Sequence, residues 1–305
     1  MAERAQLSRI DHVERLIQQD IGRNVQPLFA HARGGLRRAA LSLAGEAGPN
    51  VAILTGFFVP DGTPPAAETD GPPAAALLAR GLMRAGVPCR IFTDALCAAA
   101  CAAAVSAAGL DPASLIPLPL DGAGVALSQH WQALGVRHAL VIERCGRSAD
   151  GRPRNMRGED IGAVTPLLDD AFTGGAWVKI AIADGGNELG VGSLPRELVA
   201  AHVANGSRIA CTTPADHLIL AGVSHWGAYA LLAGLAELRP DWAGVLVACL
   251  DADLDLRVLE ATVRYGPAVD GVTRRQTVTI DGIPPSRHRY KLDAIRSLMI
   301  GGHTR

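Results

Sequence analysis

Trp177-Val178-Lys179-Ile180-Ala181-Ile182-Ala183-Asp184-Gly185-Gly186-Asn187-Glu188 decides the fold. Its first seven residues are apolar but for Lys179 and lack the strict alternation of a strand with one wet face. Such a strand has both faces covered, as in a parallel sheet sandwiched between helices. The run then stops at an acid, two glycines, an amide and a second acid. Glycines let the backbone turn sharply and approach a ligand. Acids and an amide on such a turn form a hard-oxygen cluster suited to a divalent metal or to proton transfer.

The same pattern recurs on both sides of this stretch. Apolar runs at 51–56, 87–93, 138–142, 208–212 and 244–250 read as further strands. Helical patterns lie between them: 8–46, from Pro72 to about 85, 95–108, 124–134, 215–237 and 286–299. Gln276-Thr277-Val278-Thr279-Ile280-Asp281-Gly282 alternates polar and apolar residues, as expected of an edge strand or hairpin. Strands alternating with helices predict an α/β protein with a mostly parallel sheet covered on both faces. An irregular insertion around 144–167 interrupts the alternation. With no repeat and no low-complexity linker, residues 1–305 read as one domain, opened by a helical segment over 1–46.

Composition narrows the class. Among 305 residues, 49% are hydrophobic and 19% charged, which fits a globular chain with a sizeable core. A formal net charge of −1 offers no electrostatic reason to expect nucleic acid or an anionic membrane as partner. The apolar stretch 95–108 is short of the roughly 20 residues that span a bilayer. Met1-Ala2-Glu3-Arg4 and the charges that follow contain no signal-peptide core. Cys89, Cys97, Cys101, Cys145, Cys211 and Cys249 form no CxxC pair. Cys97 and Cys101, spaced i, i+4, could hold half a metal site, but no matching Cys/His pair exists, so all six read as buried small residues in a reducing, cytoplasmic setting.

Chemistry collects just past the carboxyl ends of the expected strands, where open parallel sheets bind ligands. Thr55-Gly56, Asp94, Glu143-Arg144, Asp184 to Glu188 and Thr212-Thr213 all fall there. In Glu68-Thr69-Asp70-Gly71-Pro72 two acids precede a helix, either as an N-cap with a surface acid or as metal ligands beside the second acidic loop. Glu143 leaves a buried strand and costs desolvation unless paired or metal-bound. Arg147 and Arg157 offer forks that match a substrate carboxylate, the alternative being a salt-bridged surface loop. Ser224-His225 misses the GxSxG elbow and reads as a packing or substrate contact. Asp251-Ala252-Asp253-Leu254-Asp255 lacks the glycine and glutamate of a calcium loop and reads as a solvated strand end. Walker A, dinucleotide-binding and HExxH patterns are absent.

Taken together and in order, several motifs resemble the D-glutamate cyclase family. They are Glu68-Thr69-Asp70-Gly71-Pro72, Glu143-Arg144-x-Gly146-Arg147-x-Ala149-Asp150-Gly151, Asn155-Met156-Arg157-Gly158, Asp184 through Gly190, and Ala221-Gly222-Val223-Ser224, within roughly residues 15–300. The chain departs from the family pattern at Cys145 (proline expected), at His225 (asparagine expected) and in Phe57-Phe58-Val59-Pro60-Asp61. The resemblance implies metal-assisted conversion of D-glutamate to 5-oxo-D-proline with loss of water, with Mn²⁺ the expected ion. Placed on these residues, it assigns metal binding to Glu68, Asp70, Glu143 and Asp184, and proton transfer to Asp184 or Glu188. Arg147, Asn155, Arg157 and Asn187 then face an acidic amino acid as substrate. The other readings are a divalent-metal-dependent phosphatase or hydrolase, and a non-catalytic protein that binds an acidic amino acid. A homo-oligomer is compatible with all three.

Overall fold

Six parallel strands form the centre of the molecule in a computed structural model that describes residues 8–301. Residues Met1 to Arg4 therefore lie outside the described residues. In chain order the elements are α1 (Arg9–Ile17), α2 (Gln26–Ala32), α3 (Gly35–Gly45), β1 (Val51–Thr55), β2 (Phe58–Val59), β3 (Ala66–Ala67), α4 (Pro72–Arg84), β4 (Cys89–Asp94), α5 (Ala98–Ala107) and β5 (Leu115–Leu118). There follow α6 (Ala123–Ala133), β6 (His138–Ile142), α7 (Asp169–Thr173), β7 (Val178–Ala183), α8 (Arg196–His202), α9 (Gly206–Ile209) and β8 (His217–Leu220). The last part is all helical: α10 (Ser224–Leu238), α11 (Pro240–Cys249), α12 (Ala252–Tyr265) and α13 (Pro285–Ile300). No helix among the described residues is long and apolar enough to cross a membrane.

The strand order is β5-β4-β1-β6-β7-β8, so the chain builds outward from β1 in one direction and then returns to build in the other. Odd and even strand residues feed two separate cores. Val51, Ile53, Leu140, Ile142, Ile180 and Ile182 face one layer with α1, α3, α4 and α10 to α13. Ala52, Leu54, Ala139, Val141, Ala181 and Ala183 face the other, packed by α2, α6 and α7. Burying such a Val, Leu or Ile side chain contributes about 1.5–3 kcal/mol, which is why strands with two apolar faces settle in the middle of this sandwich. α10 is buried along nearly its whole length and touches α1, α3, α4, α11 and α13.

Four expectations need correction. Residues 244–249 belong to α11 and Leu250 is its C-cap; the buried residues Trp242, Ala243, Leu246 and Cys249 recur at helical spacing. Arg208 lies in the short helix α9, and the strand beside β7 is instead His217–Leu220, inside the stretch 215–237 whose pattern predicts a helix. A four-residue strand gives too short a pattern to stand out from its neighbours. Residues 276–282 form a loop with an isolated bridge between Ile280 and Ile283, not a strand. Asp251 caps α12 by accepting from the backbone of Asp253 and Leu254, at 2.9 and 3.1 Å. The insertion over 144–167 is irregular, as expected, and the N-terminal helical segment is three helices.

Candidate active site

β1 and β6 are neighbours whose crossovers run to opposite sides of the sheet, leaving a crevice at their carboxyl ends. A cavity of about 310 Å³ opens beside it. Glu143 follows β6 and Asp184 follows β7 without an intervening residue, while Glu68 and Asp70 arrive on the segment between β3 and α4. Carboxylate oxygens of Asp70, Glu143 and Asp184 come within 4.8 Å of one another. Glu68, Glu143, Asp184 and Glu188 all line the cavity, as do Asn155, Arg157 and Asn187.

The 184–188 turn is shaped by Glu188. Its Oε1 accepts from the backbone of Asp184 and Gly185 at 3.0 and 2.5 Å, and its Oε2 from Gly186 at 2.6 Å. Gly186 sits at φ +118°, a conformation that a side chain would strain. Asp184 Oδ2 accepts from the Ser224 N–H at 2.6 Å, where the positive end of α10 favours an anion. Two residues that the sequence reading did not single out complete the floor. Arg23, between α1 and α2, reaches Asp184 Oδ1 at 2.8 Å and also pairs with Asp281 from the loop before α13. Glu143 and Asp281 both hold left-handed backbone, at φ +46° and +57°, which costs on the order of 1–3 kcal/mol each and is tolerated where the surroundings fix it.

Burial pushes the carboxyls of Glu68, Asp70, Glu143, Asp184 and Asp281 above the ordinary range, and the neighbouring acids push them the same way. Arg23 opposes that rise at Glu68, Asp184 and Asp281. Burial also works against the charge on Arg23, but Asp184, Asp281 and Glu143 outweigh it and hold the guanidinium protonated. Asp70 Oδ2, Glu143 Oε2 and Asp281 Oδ2 are buried without a hydrogen-bond partner. Orphaned carboxylate oxygens in a dry site are costly unless a proton or a cation meets them. An all-oxygen donor set of this kind suits a hard divalent cation such as Mg²⁺ or Mn²⁺.

The remaining expected residues fall in different places. Arg157 stands at the cavity mouth. Asn187 lines the wall and donates to the Arg154 carbonyl at 2.8 Å. Asn155 Oδ1 accepts from the backbone of Arg157 and Glu159, fixing the insertion. Arg147 lies outside the cavity lining, its guanidinium 2.8 Å from Asp170. Asp94 is sequestered by the buried Arg144. Asp70 does not cap α4; its Oδ1 accepts from the adjacent Gly71 N–H at 2.7 Å. His225 is buried against Asp255, 2.6 Å away, which fits a packing role for the Ser224-His225 pair. All six cysteines are buried and unbridged.

A doubly wound sheet with a buried carboxylate cluster at its topological switch defines a class of small-molecule α/β site. The family description "D-glutamate cyclase-like, C-terminal" matches residues 13–296, and the chain belongs to that family. It is 34% identical over 214 residues to the human protein "D-glutamate cyclase, mitochondrial". That stretch is 66% of this chain and 34% of the human protein, so the alignment spans about a third of the relative's length.

Proposed function

We propose that this chain is a lyase that closes D-glutamate into 5-oxo-D-proline with loss of water, assisted by a divalent cation, Mn²⁺ being the first candidate. Family membership supports the reaction class. The observation that carries the reading is the meeting of Asp70, Glu143 and Asp184, with orphaned oxygens on two of them, next to a cavity sized for an amino acid.

Atoms balance simply. The amine nitrogen bonds to the γ-carboxyl carbon, one C–O bond breaks, and two of the three ammonium protons leave on the departing oxygen as water. Asp70, Glu143 and Asp184 would hold the cation, with Glu68 beside them. Bound there, it would neutralise the γ-carboxylate and make its carbon electrophilic. We assign the proton transfers to Asp281. Arg23 fixes one of its oxygens while the other is buried and free, and its raised pKa suits both accepting and returning a proton. Glu188 already accepts three backbone N–H groups, so its part is to shape the loop, and Asp184 belongs with the cation. Chiral chromatography of parallel D- and L-glutamate incubations tests the proposal. Lactam from the D-isomer in excess over the L-isomer is expected; product from neither contradicts it.

A further inference from the structure

Arg157 lines the cavity and Arg274 stands just beyond its lining, joined to it through Asp61. Arg157, on the insertion after β6, and Arg274, on the loop before α13, both bind one oxygen of Asp61. Asp61 Oδ2 lies 2.7 Å from Arg157 Nη2 and 2.8 Å from Arg274 Nη1. Asp61 itself belongs to the β2–β3 connection and lines the cavity. Three loops thus meet at a single carboxylate oxygen on the rim.

This meeting point is wet. The side chains of Asp61, Arg157 and Arg274 are 35%, 39% and 47% exposed. Ion pairs at such exposure contribute about 0–1 kcal/mol, so another carboxylate can replace Asp61 at little cost. Arg157 is also held by Glu159, whose Oε2 accepts from its Nε at 3.2 Å, and the backbone that carries Arg274 is fixed. Arg274 occupies left-handed backbone at φ +58°, braced by its N–H on the Asp270 carbonyl at 2.7 Å and by its carbonyl on the Thr63 N–H at 2.8 Å. The Asp270 carboxylate accepts from Val272, Thr273 and Gly282, the last being next to Asp281. One brace therefore positions both the rim arginine and the inner proton carrier.

We propose that Arg157 and Arg274 form a carboxylate-binding subsite, that Asp61 occupies it in the free protein, and that a ligand carboxylate displaces Asp61 on entry. The ligand class is a short α,ω-dicarboxylate: one end on the rim arginines, the other toward Asp70, Glu143 and Asp184. Identifying the rim carboxylate with the α-carboxylate of D-glutamate rests on the cyclase reading. The exchange gives an entering carboxylate two guanidinium partners at the edge of a cavity lined by Glu68, Glu143, Asp184, Glu188 and Asp281, while the Asp61 side chain turns to solvent.

Glutarate tests this separately from turnover, since it carries both carboxylates but no amine and cannot cyclise. Calorimetric titrations with Mn²⁺ present compare the wild type with Asp61→Ala, Arg274→Met and Arg274→Lys. An exposed guanidinium–carboxylate pair contributes up to about 1 kcal/mol, so Arg274→Met should bind about two- to fivefold less tightly, with Arg274→Lys between it and wild type. Asp61→Ala should bind about two- to fivefold tighter, because the competing carboxylate is gone. Unchanged affinity in Arg274→Met, unchanged or weaker affinity in Asp61→Ala, or no binding to the wild type overturns the proposal. Glutarate binding as expected without lactam from D-glutamate would overturn the cyclase reading alone.

Discussion

At Asp281 one carboxylate oxygen is held by Arg23 and the other is buried without a partner, and Asp281 lies outside the three-acid cluster of Asp70, Glu143 and Asp184. Asp281→Asn keeps the shape and removes the group proposed to carry the protons. Turnover should fall about 10²–10⁴-fold, the usual contribution of a general acid–base group, while Mn²⁺ affinity measured by titration stays close to wild type. Equal losses in both would place Asp281 among the cation ligands instead. His288 tests a different kind of burial. Burial first, and His225 second, push its imidazole down to about 4. Its Nδ1 accepts the Trp226 indole N–H at 2.9 Å, so the neutral ring is the one that fits. The unfolded chain takes up this proton near pH 6.5 and the folded chain only near 4. Stability from this residue is therefore complete above about 6.5 and is lost as pH falls toward 4, with a slope of at most about 1.4 kcal/mol per pH unit. Denaturant unfolding of wild type and His288→Asn across that window should converge by this amount; parallel curves would show that the buried ring does not titrate.

Among the elements, the loop from β8 into α10 does the most to assemble the site. Gly222 donates its N–H to the Ile17 carbonyl at 2.8 Å, and its own carbonyl accepts from Arg23. A Cβ at this position would overlap the Gln19 carbonyl oxygen. Gly222→Ala should cost about 1–3 kcal/mol in chemical unfolding and lower activity by displacing Arg23 from the floor; wild-type stability would mean that the α1–α2 connection yields freely. The strands carrying Glu143 and Asp184 were legible from sequence because a continuous apolar run ending in an acid is a local signal. Arg23 was hidden in a helical segment whose apolar periodicity says nothing about the gap between α1 and α2. Asp281 sat in an alternating pattern that mimics a strand, though its Asp281-Gly282 dipeptide was a turn signal that favours the observed left-handed residue. Arg147 pairs with Asp170 on the neighbouring α7, which matches the salt-bridged alternative for its fork, and spacing alone does not choose between the two readings.

For the molecule as a whole, the parallel sheet with two covered faces followed from the apolar strands, whereas the strand order and its switch between β1 and β6 depend on pairings distant in sequence. That switch brings acids from four parts of the chain together. Their mutual repulsion and burial should make the folded protein a cation binder. A ligand at 100 times its Kd stabilises the folded state by about 2.7 kcal/mol, so saturating Mn²⁺ should raise the melting temperature and chelation should reverse the rise. No shift would mean that the cluster meets its charge with protons alone. The most direct test of the central claim is NMR on D-glutamate incubated with the protein, with Mn²⁺ or with EDTA, the metal removed before the spectrum is taken. Resonances of 5-oxoproline should appear with Mn²⁺ and be suppressed by EDTA and by Asp184→Asn; their absence under every condition would contradict the account.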